Sequence, residues 1–149
     1  MQWGEAREQP GDDHYLREIA GFLADRRRVL QPAVLWPQDE PPSLRGGFDT
    51  HMSLLTAELA IRLDRPVHLA QLVAAGTDVG AAAETDSAAL IVQGAGAVGV
   101  TVSLPCRPMR RQQIRLRTGE LLYLPPGTRY TATGTADARY GVLSIPSPR

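Results

Sequence analysis

Ala89-Leu90-Ile91-Val92-Gln93-Gly94-Ala95-Gly96-Ala97-Val98-Gly99-Val100-Thr101-Val102-Ser103-Leu104-Pro105 is the stretch on which the fold turns. It places a literal G-x-G-x-x-G after an apolar run, as a dinucleotide-binding turn does. That fingerprint needs a helix next, because the pyrophosphate rests on the helix's N-terminal amides. Here Val98, Val100, Val102 and Leu104 instead alternate with small residues and stop at Pro105, which is strand patterning. The next carboxylate is Glu120, too far along to hold a ribose hydroxyl. The stretch reads as a glycine-rich hairpin turn between two strands, and a nucleotide site is set aside.

Working outward, the same punctuation recurs. Strand-length runs at Val67–Ala74, Ala88–Gln93, Val98–Leu104, Gln113–Arg117, Glu120–Leu124, Arg129–Thr133 and Tyr140–Ile145 are separated by Gly and Pro. Seven or eight short strands at such spacing argue for an antiparallel sandwich or barrel. Upstream the period lengthens. Ile19, Phe22, Leu23, Val29 and Leu30 fall near helical spacing between Tyr15 and Leu30, and Pro32 ends the pattern. Gln31 to Gly47 holds four prolines and reads as an extended connector. Asp49, Thr50 or Ser53 can cap a second helix that shares Met52, Leu55, Leu59 and Leu63 on one face and ends before Pro66. The expectation is one mainly β domain: residues 1–50 a helix and Pro-rich arm, 51–65 a helix, and 66–149 the sandwich.

Composition narrows the classes of function. Sixteen arginines balance sixteen carboxylates with no lysine, so no overall field recruits nucleic acid or membrane. One cysteine, Cys106, excludes an intrachain disulfide and a thiolate metal cage, which fits a reducing compartment. The first residues are polar and acidic (Glu5, Glu8, Asp12, Asp13), unlike a secretory leader, and no run reaches the ~20 apolar residues that cross a bilayer. A cytoplasmic protein is expected, with no membrane and no nucleic acid as partner.

Leu116 to Tyr130 reads Leu-Arg-Thr-Gly-Glu-Leu-Leu-Tyr-Leu-Pro-Pro-Gly-Thr-Arg-Tyr. It resembles the late segment of JmjC-type cupins of the bacterial ribosomal-protein oxygenase group, where "G-D-x-L-Y-x-P-x-G-x-x-H" carries the last iron-binding histidine. Gly119, Leu122, Tyr123, Pro125 and Gly127 match it. Gln93-Gly94-Ala95-Gly96 resembles the "Q-x-x-G" that follows the family's "H-x-D" strand, and Ala57 through Pro66-Val67 to Gly80 resembles the helix, first strand and glycine turn before it. The resemblance spans roughly residues 55 to 146 and implies a cupin double-stranded β-helix, an antiparallel jelly roll. It also implies iron and 2-oxoglutarate, held by two histidines and one carboxylate on one face of the metal. Those ligands do not follow. In the ungapped alignment the "H-x-D" positions fall on Ala83 and Thr85 and the last histidine on Tyr130. A one-residue gap brings up Glu84 and Asp86, which with His68 leaves a residual metal site open as an alternative, but recovers neither histidine. The expectation is no metal and no cofactor.

In that alignment Thr85, Ser87, Ala89, Ile91 and Gln93 face the sandwich interior, with Tyr130 pointing at them from across and Tyr123 completing a ligand pocket. Hydroxyls and an amide suit a neutral ligand or carbonyl group. His68 alternates with Val67 and Leu69, so it could face the pocket as a base beside Tyr130 or lie on the other face; His14 and His51 precede the two helices' apolar stripes and receive no role. Arg107, Arg110, Arg111, Arg115 and Arg117 form a basic patch, either a solvated hairpin or a site for an acidic peptide, phosphate or carboxylate. It lacks the interleaved aromatics of a nucleic-acid platform. Three functions stay open: a metal-free JmjC-like cupin that binds a small molecule or peptide or assists a partner enzyme, in a biosynthetic pathway; a metal-independent cyclase, isomerase or epimerase using Tyr130 and His68; and an iron and 2-oxoglutarate hydroxylase with atypical ligands. Open sheet edges and the N-terminal arm point to a homodimer.

Overall fold

The computed structural model describes residues 10–26, 31–37, 47–74, 78–82, 87–104, 107–135 and 137–146. Helix α1 spans Pro10–Arg26, strand β1 Ala33–Leu35 and helix α2 Phe48–Leu63. Eight strands follow: β2 His68–Ala74, β3 Asp78–Ala82, β4 Ser87–Ala95, β5 Val98–Leu104, β6 Arg107–Leu116, β7 Leu121–Leu124, β8 Arg129–Gly134 and β9 Arg139–Pro146. They form two antiparallel sheets, β1-β7-β4-β9-β2 and β3-β8-β5-β6. Counted from β2, the order 6-3-8-1 faces 2-7-4-5, so successive strands alternate between sheets except for the central β5–β6 hairpin, in the jelly-roll manner of a cupin. The fold is a cupin β-sandwich with a helical layer, and β1 adds an edge strand.

The glycine-rich segment corrects one reading. β4 and β5 do not pair with each other, so the turn at Gly96-Ala97 is not a hairpin but a crossing from one sheet to the other. Gly96 takes φ +67, and a side chain there would meet the Thr135 hydroxyl at 2.7 Å and the Asp137 carboxylate at 2.8 Å. Only glycine tolerates both demands. No helix follows, which removes the dinucleotide site on structural grounds. Other boundaries also move. Part of the connector forms β1, paired with β7 through Val34 and Leu122. Gly80 lies within β3 rather than in a turn. α2 starts at Phe48 behind Gly47, with no side-chain cap, and stops at Asp64, whose left-handed conformation returns its N–H to Ala60 and Ile61. α1 starts five residues earlier than expected; residues 27–30, at its expected end, lie outside the described residues.

Two apolar layers hold the fold. Between the sheets, Ala89, Ile91, Val98, Val100, Val102, Leu122 and Leu124 pack with Tyr130, Tyr140 and Val142. On the other side of the five-stranded sheet, Leu90, Val92, Leu121, Tyr123, Leu143 and Ile145 meet the helices. The helices offer stripes at helical spacing: Tyr15, Ile19 and Leu23 on α1, and Phe48, Met52, Leu55 and Leu59 on α2. Each such buried side chain is worth about 1.5–3 kcal/mol, so stripping off the helices would leave six large apolar groups of the sheet in water. The helical layer is therefore a structural part of the sandwich.

The Pro125–Thr128 turn carries the chain from β7 in the five-stranded sheet to β8 in the four-stranded one. Thr128 donates its N–H and its hydroxyl to the Pro125 carbonyl, at 3.2 and 2.7 Å. Pro126 sits at the position that wants a fixed φ, and Gly127, at φ +80, supplies the positive φ a type II turn needs next. This turn sets the position of Tyr130 three residues later.

Candidate functional site

Strand register decides which expected site residues meet. Along β4, Ala88, Leu90 and Val92 face the helices while Ala89 and Ile91 face the inter-sheet core, and Ser87 and Gln93 continue the second set. Ser87 and Gln93 are both buried. On the facing sheet Tyr130 lies in the inter-sheet core, opposite Val102 of β5 and Ala81 of β3. Because β5 runs back over β4, the Tyr130 row overlies the start of β4. Tyr130, Ser87 and Ser144, which pairs with Ala89, thus share one end of the sandwich. His68 pairs with Ser144 on edge strand β2 and is exposed at that same end.

The remaining expected members part company with this group. Gln93 stands at the opposite end of β4, where its backbone bonds Glu120 and Gly119 and its side-chain amide donates to the Ala95 carbonyl. Its Oε1 is buried without a partner among the described residues. This glutamine ties the 93–97 turn to the 117–120 turn. Tyr123, on a strand buried on both faces, points to the helices rather than between the sheets. It lines a cleft of about 180 Å³ between the helix ends and the five-stranded sheet, alongside Leu23, Arg62, Arg65 and Pro146. Arg65 donates to the Pro146 carbonyl there at 3.3 Å. Ile91 is fully buried mid-core and offers only packing. Thr85, with Ala83, Glu84 and Asp86, lies outside the described residues.

Burial sets the electrostatics. Desolvation raises the Tyr130 phenol above its ordinary value of 10.0, so it remains a neutral hydrogen-bond donor rather than an anionic ligand. Tyr123 is raised for the same reason. Among the described residues no three histidine, cysteine or carboxylate side chains cluster as metal ligands. Among the described residues the sandwich end offers a phenol, serine hydroxyls and one edge histidine; Glu84 and Asp86, the carboxylates of the alternative metal site, lie outside the described residues.

Composition and spacing gave no role to a buried polar pair beneath the helices. Tyr15 of α1 and His51 of α2 are 0% and 3% exposed, and the phenol oxygen lies 3.2 Å from His51 Nε2. Desolvation lowers the imidazole to about 4. The phenol is raised by burial and then by the Glu18 charge. The signal was present: His51 stands four residues before Leu55 and eight before Leu59 on the buried stripe.

The arginine group lies on the four-stranded sheet. Arg111 and Arg115 are exposed on β6, an edge strand, and Arg117 is exposed just beyond it. Arg107 and Arg110 belong to the same strand by backbone.

No protein-family model matches the chain, and no curated protein matches it. Solved cupin structures do. The ribosomal oxygenase YcfD from Escherichia coli is 20% identical over 64% of this chain and 29% of its own, with a TM-score of 0.48. The Drosophila melanogaster CENP-C cupin domain is 18% identical over 51% of this chain and 56% of that one, TM-score 0.41. RmlC from Streptococcus suis, solved with dTDP-D-xylose, is 15% identical over 56% and 44%, TM-score 0.44. The chain thus spans between under a third and just over half of these proteins. The likeness is one of fold: strand order and layers place the chain among cupin sandwiches. No helix among the described residues is long and apolar enough to cross a membrane.

Proposed function

We propose that this chain is a metal-free JmjC-like cupin that works by binding, taking a small molecule or a peptide, or assisting a partner enzyme, in a cytoplasmic biosynthetic pathway. One observation carries the reading. Tyr130 occupies the place where the resembled motif has its last iron-binding histidine, and it does so as a buried, neutral phenol among valines and alanines. A protonated phenol at the same end of the sandwich as Ser87 donates and accepts hydrogen bonds without bringing charge into the interior, which suits a neutral polar ligand at that end.

The test has two parts. Protein grown with iron, manganese, zinc and nickel and purified without chelator is expected to carry far less than one metal per chain; a stoichiometric metal overturns the reading. Thermal-shift screening then finds a ligand, and Tyr130→Phe is expected to hold it within about threefold, the loss of one modest hydrogen bond. His68 and Tyr130 at the same end of the sandwich favour the metal-independent enzyme as second reading. Its mark is a Tyr130→Phe variant that keeps affinity but loses about a hundredfold or more in turnover.

A further inference from the structure

The outer face of the four-stranded sheet is polar and basic, and strand register organises it. Inward residues Val98, Val100, Val102, Leu116 and Ala132 fill the core, so their neighbours along each strand point away from the sandwich. Ser103 of β5 is flanked by Arg111 of β6 on one side and Arg129 of β8 on the other. Two residues along, Thr101 lies between Gln113 and Thr131; two more, and Gly99 lies between Arg115 and Thr133. Arg129, which the sequence alone did not group with the others, thus joins their surface.

Among the described residues the charge on this face is not balanced locally. Between Val98 and Thr135 the chain has six arginines and one carboxylate, Glu120, although its overall charge is zero. Glu120 is committed to its own turn, its Oε1 accepting from the Arg117 backbone N–H at 2.6 Å. Asp78, opposite Thr133 in register, is three strands away from Arg115. Among the described residues Arg111, Arg115 and Arg129 make no ion pair; Arg139, on the other sheet, pairs with Asp49 of α2 at 2.9 Å.

We infer that this face docks an extended acidic polypeptide segment of a partner protein, lying along β6. Spacing selects that ligand. Arg111 and Arg115 stand about 13 Å apart along the strand, and Arg111 and Arg129 about 10 Å apart across it, an array that an extended chain meets one residue after another. Carboxylates on one side of an extended chain recur about every 7 Å, so positions i and i+4 fall in register with Arg111 and Arg115. Guanidinium forks take carboxylates in pairs, and the Ser and Thr rows offer hydroxyls to the visiting backbone. The free edge of β6 can extend the pairing to main-chain hydrogen bonds. Among the described residues the face presents no aromatic ring for base stacking, which disfavours single-stranded nucleic acid. The inference rests on the binding reading above for its peptide ligand, but it uses none of the residues at the Tyr130 end.

The experiment titrates the full chain into a fluorescent peptide of alternating Glu and Ser, with single- and double-stranded DNA of similar charge as competitors. Wild type is expected to bind the peptide at low salt and release it once the Debye length falls to about 3 Å near 1 M. Arg111→Ser with Arg115→Ser is expected to weaken binding about tenfold, and adding Arg129→Ser to weaken it further; Arg17→Ser with Arg139→Ser, an equal loss of charge elsewhere, is expected to change it less than about twofold. Equal effects from the two double variants, tighter binding of DNA than of peptide, or no binding at low salt overturns the inference. The metal content and ligand screen at Tyr130 are read separately, so either proposal can fail without the other.

Discussion

Acid should weaken this fold through His51. The imidazole is 3% exposed between α1, α2 and the sheet, with the Tyr15 hydroxyl as its polar neighbour and the Phe48 ring centred 6.2 Å away. Burial lowers it from 6.5 to about 4, so across that window the unfolded chain binds a proton that the folded chain refuses. The sign follows: stability is full above the unfolded value and is lost as pH falls from 6.5 toward 4. The slope is about 1.4 kcal/mol per pH unit, and the total about 3 kcal/mol, a large share of the roughly 5–15 kcal/mol that holds a domain together. The assay is urea unfolding at pH 7.5 and pH 4.5 on wild type and on His51→Gln, which can still accept the Tyr15 hydrogen bond but cannot titrate. Carboxylates contribute equally to both proteins, so the difference isolates the imidazole. Wild type should lose about 2–3 kcal/mol more than the variant. Equal losses would refute the burial argument, as would a pH-independent wild type.

Two glycines give a paired prediction. A side chain at Gly94 would collide with the Phe48 ring and one at Gly141 with the Met52 methyl, because both glycines let α2 lie close against the sheet. Phe48 is rigid and Met52 can fold away, so Gly94→Ala should cost about 1–3 kcal/mol and Gly141→Ala about 1 or less; thermal melts that rank them the other way sink the packing explanation. The edge strands β1, β2, β3 and β6, with Leu72 half-exposed on β2 and Leu54 and Ile61 exposed on α2, support the proposed homodimer. Light scattering at tens of micromolar should give twice the chain mass, and a single-chain mass counts against it.

The parts of the fold legible in the sequence are those where one physical pattern dominates. β5 alternates β-branched and small residues because one of its faces is core and the other is open, and the Pro126-Gly127 pair announces its turn. β1 and β3 escaped notice because both are short edge strands, the first among prolines and the second with only Val79 β-branched. The β4–β5 turn looks like a hairpin in sequence because a two-residue link is the same whether the chain returns to its own sheet or crosses to the next. The resembled motif's last histidine position puts Tyr130 inside the sandwich, and the alternation of exposed and buried residues along β8 agrees with it. Tyr123 could not be placed that way: all four residues of β7 are buried, so burial carries no period there. Arg129 joined the basic face only through register, since it lies twelve residues beyond Arg117 in sequence.

The layering also limits where function can sit. The five-stranded sheet spends one face on the helices and the other on its partner sheet, so its side chains are committed to packing wherever the strands are central. The three glycines of the false nucleotide motif show how fully: Gly94 makes room for Phe48, Gly96 turns the chain between sheets, and only Gly99 is exposed, on the face shared with Arg115 and Thr133. Among the described residues, the end of the sandwich near Tyr130 and the outer face of the four-stranded sheet stay outside this packing. Those surfaces differ in chemistry, one offering hydroxyls and a buried phenol, the other a row of exposed arginines. A neutral small ligand and an acidic chain can therefore bind the same molecule without competing, and competition between them would mean that one of the two surfaces has been misassigned.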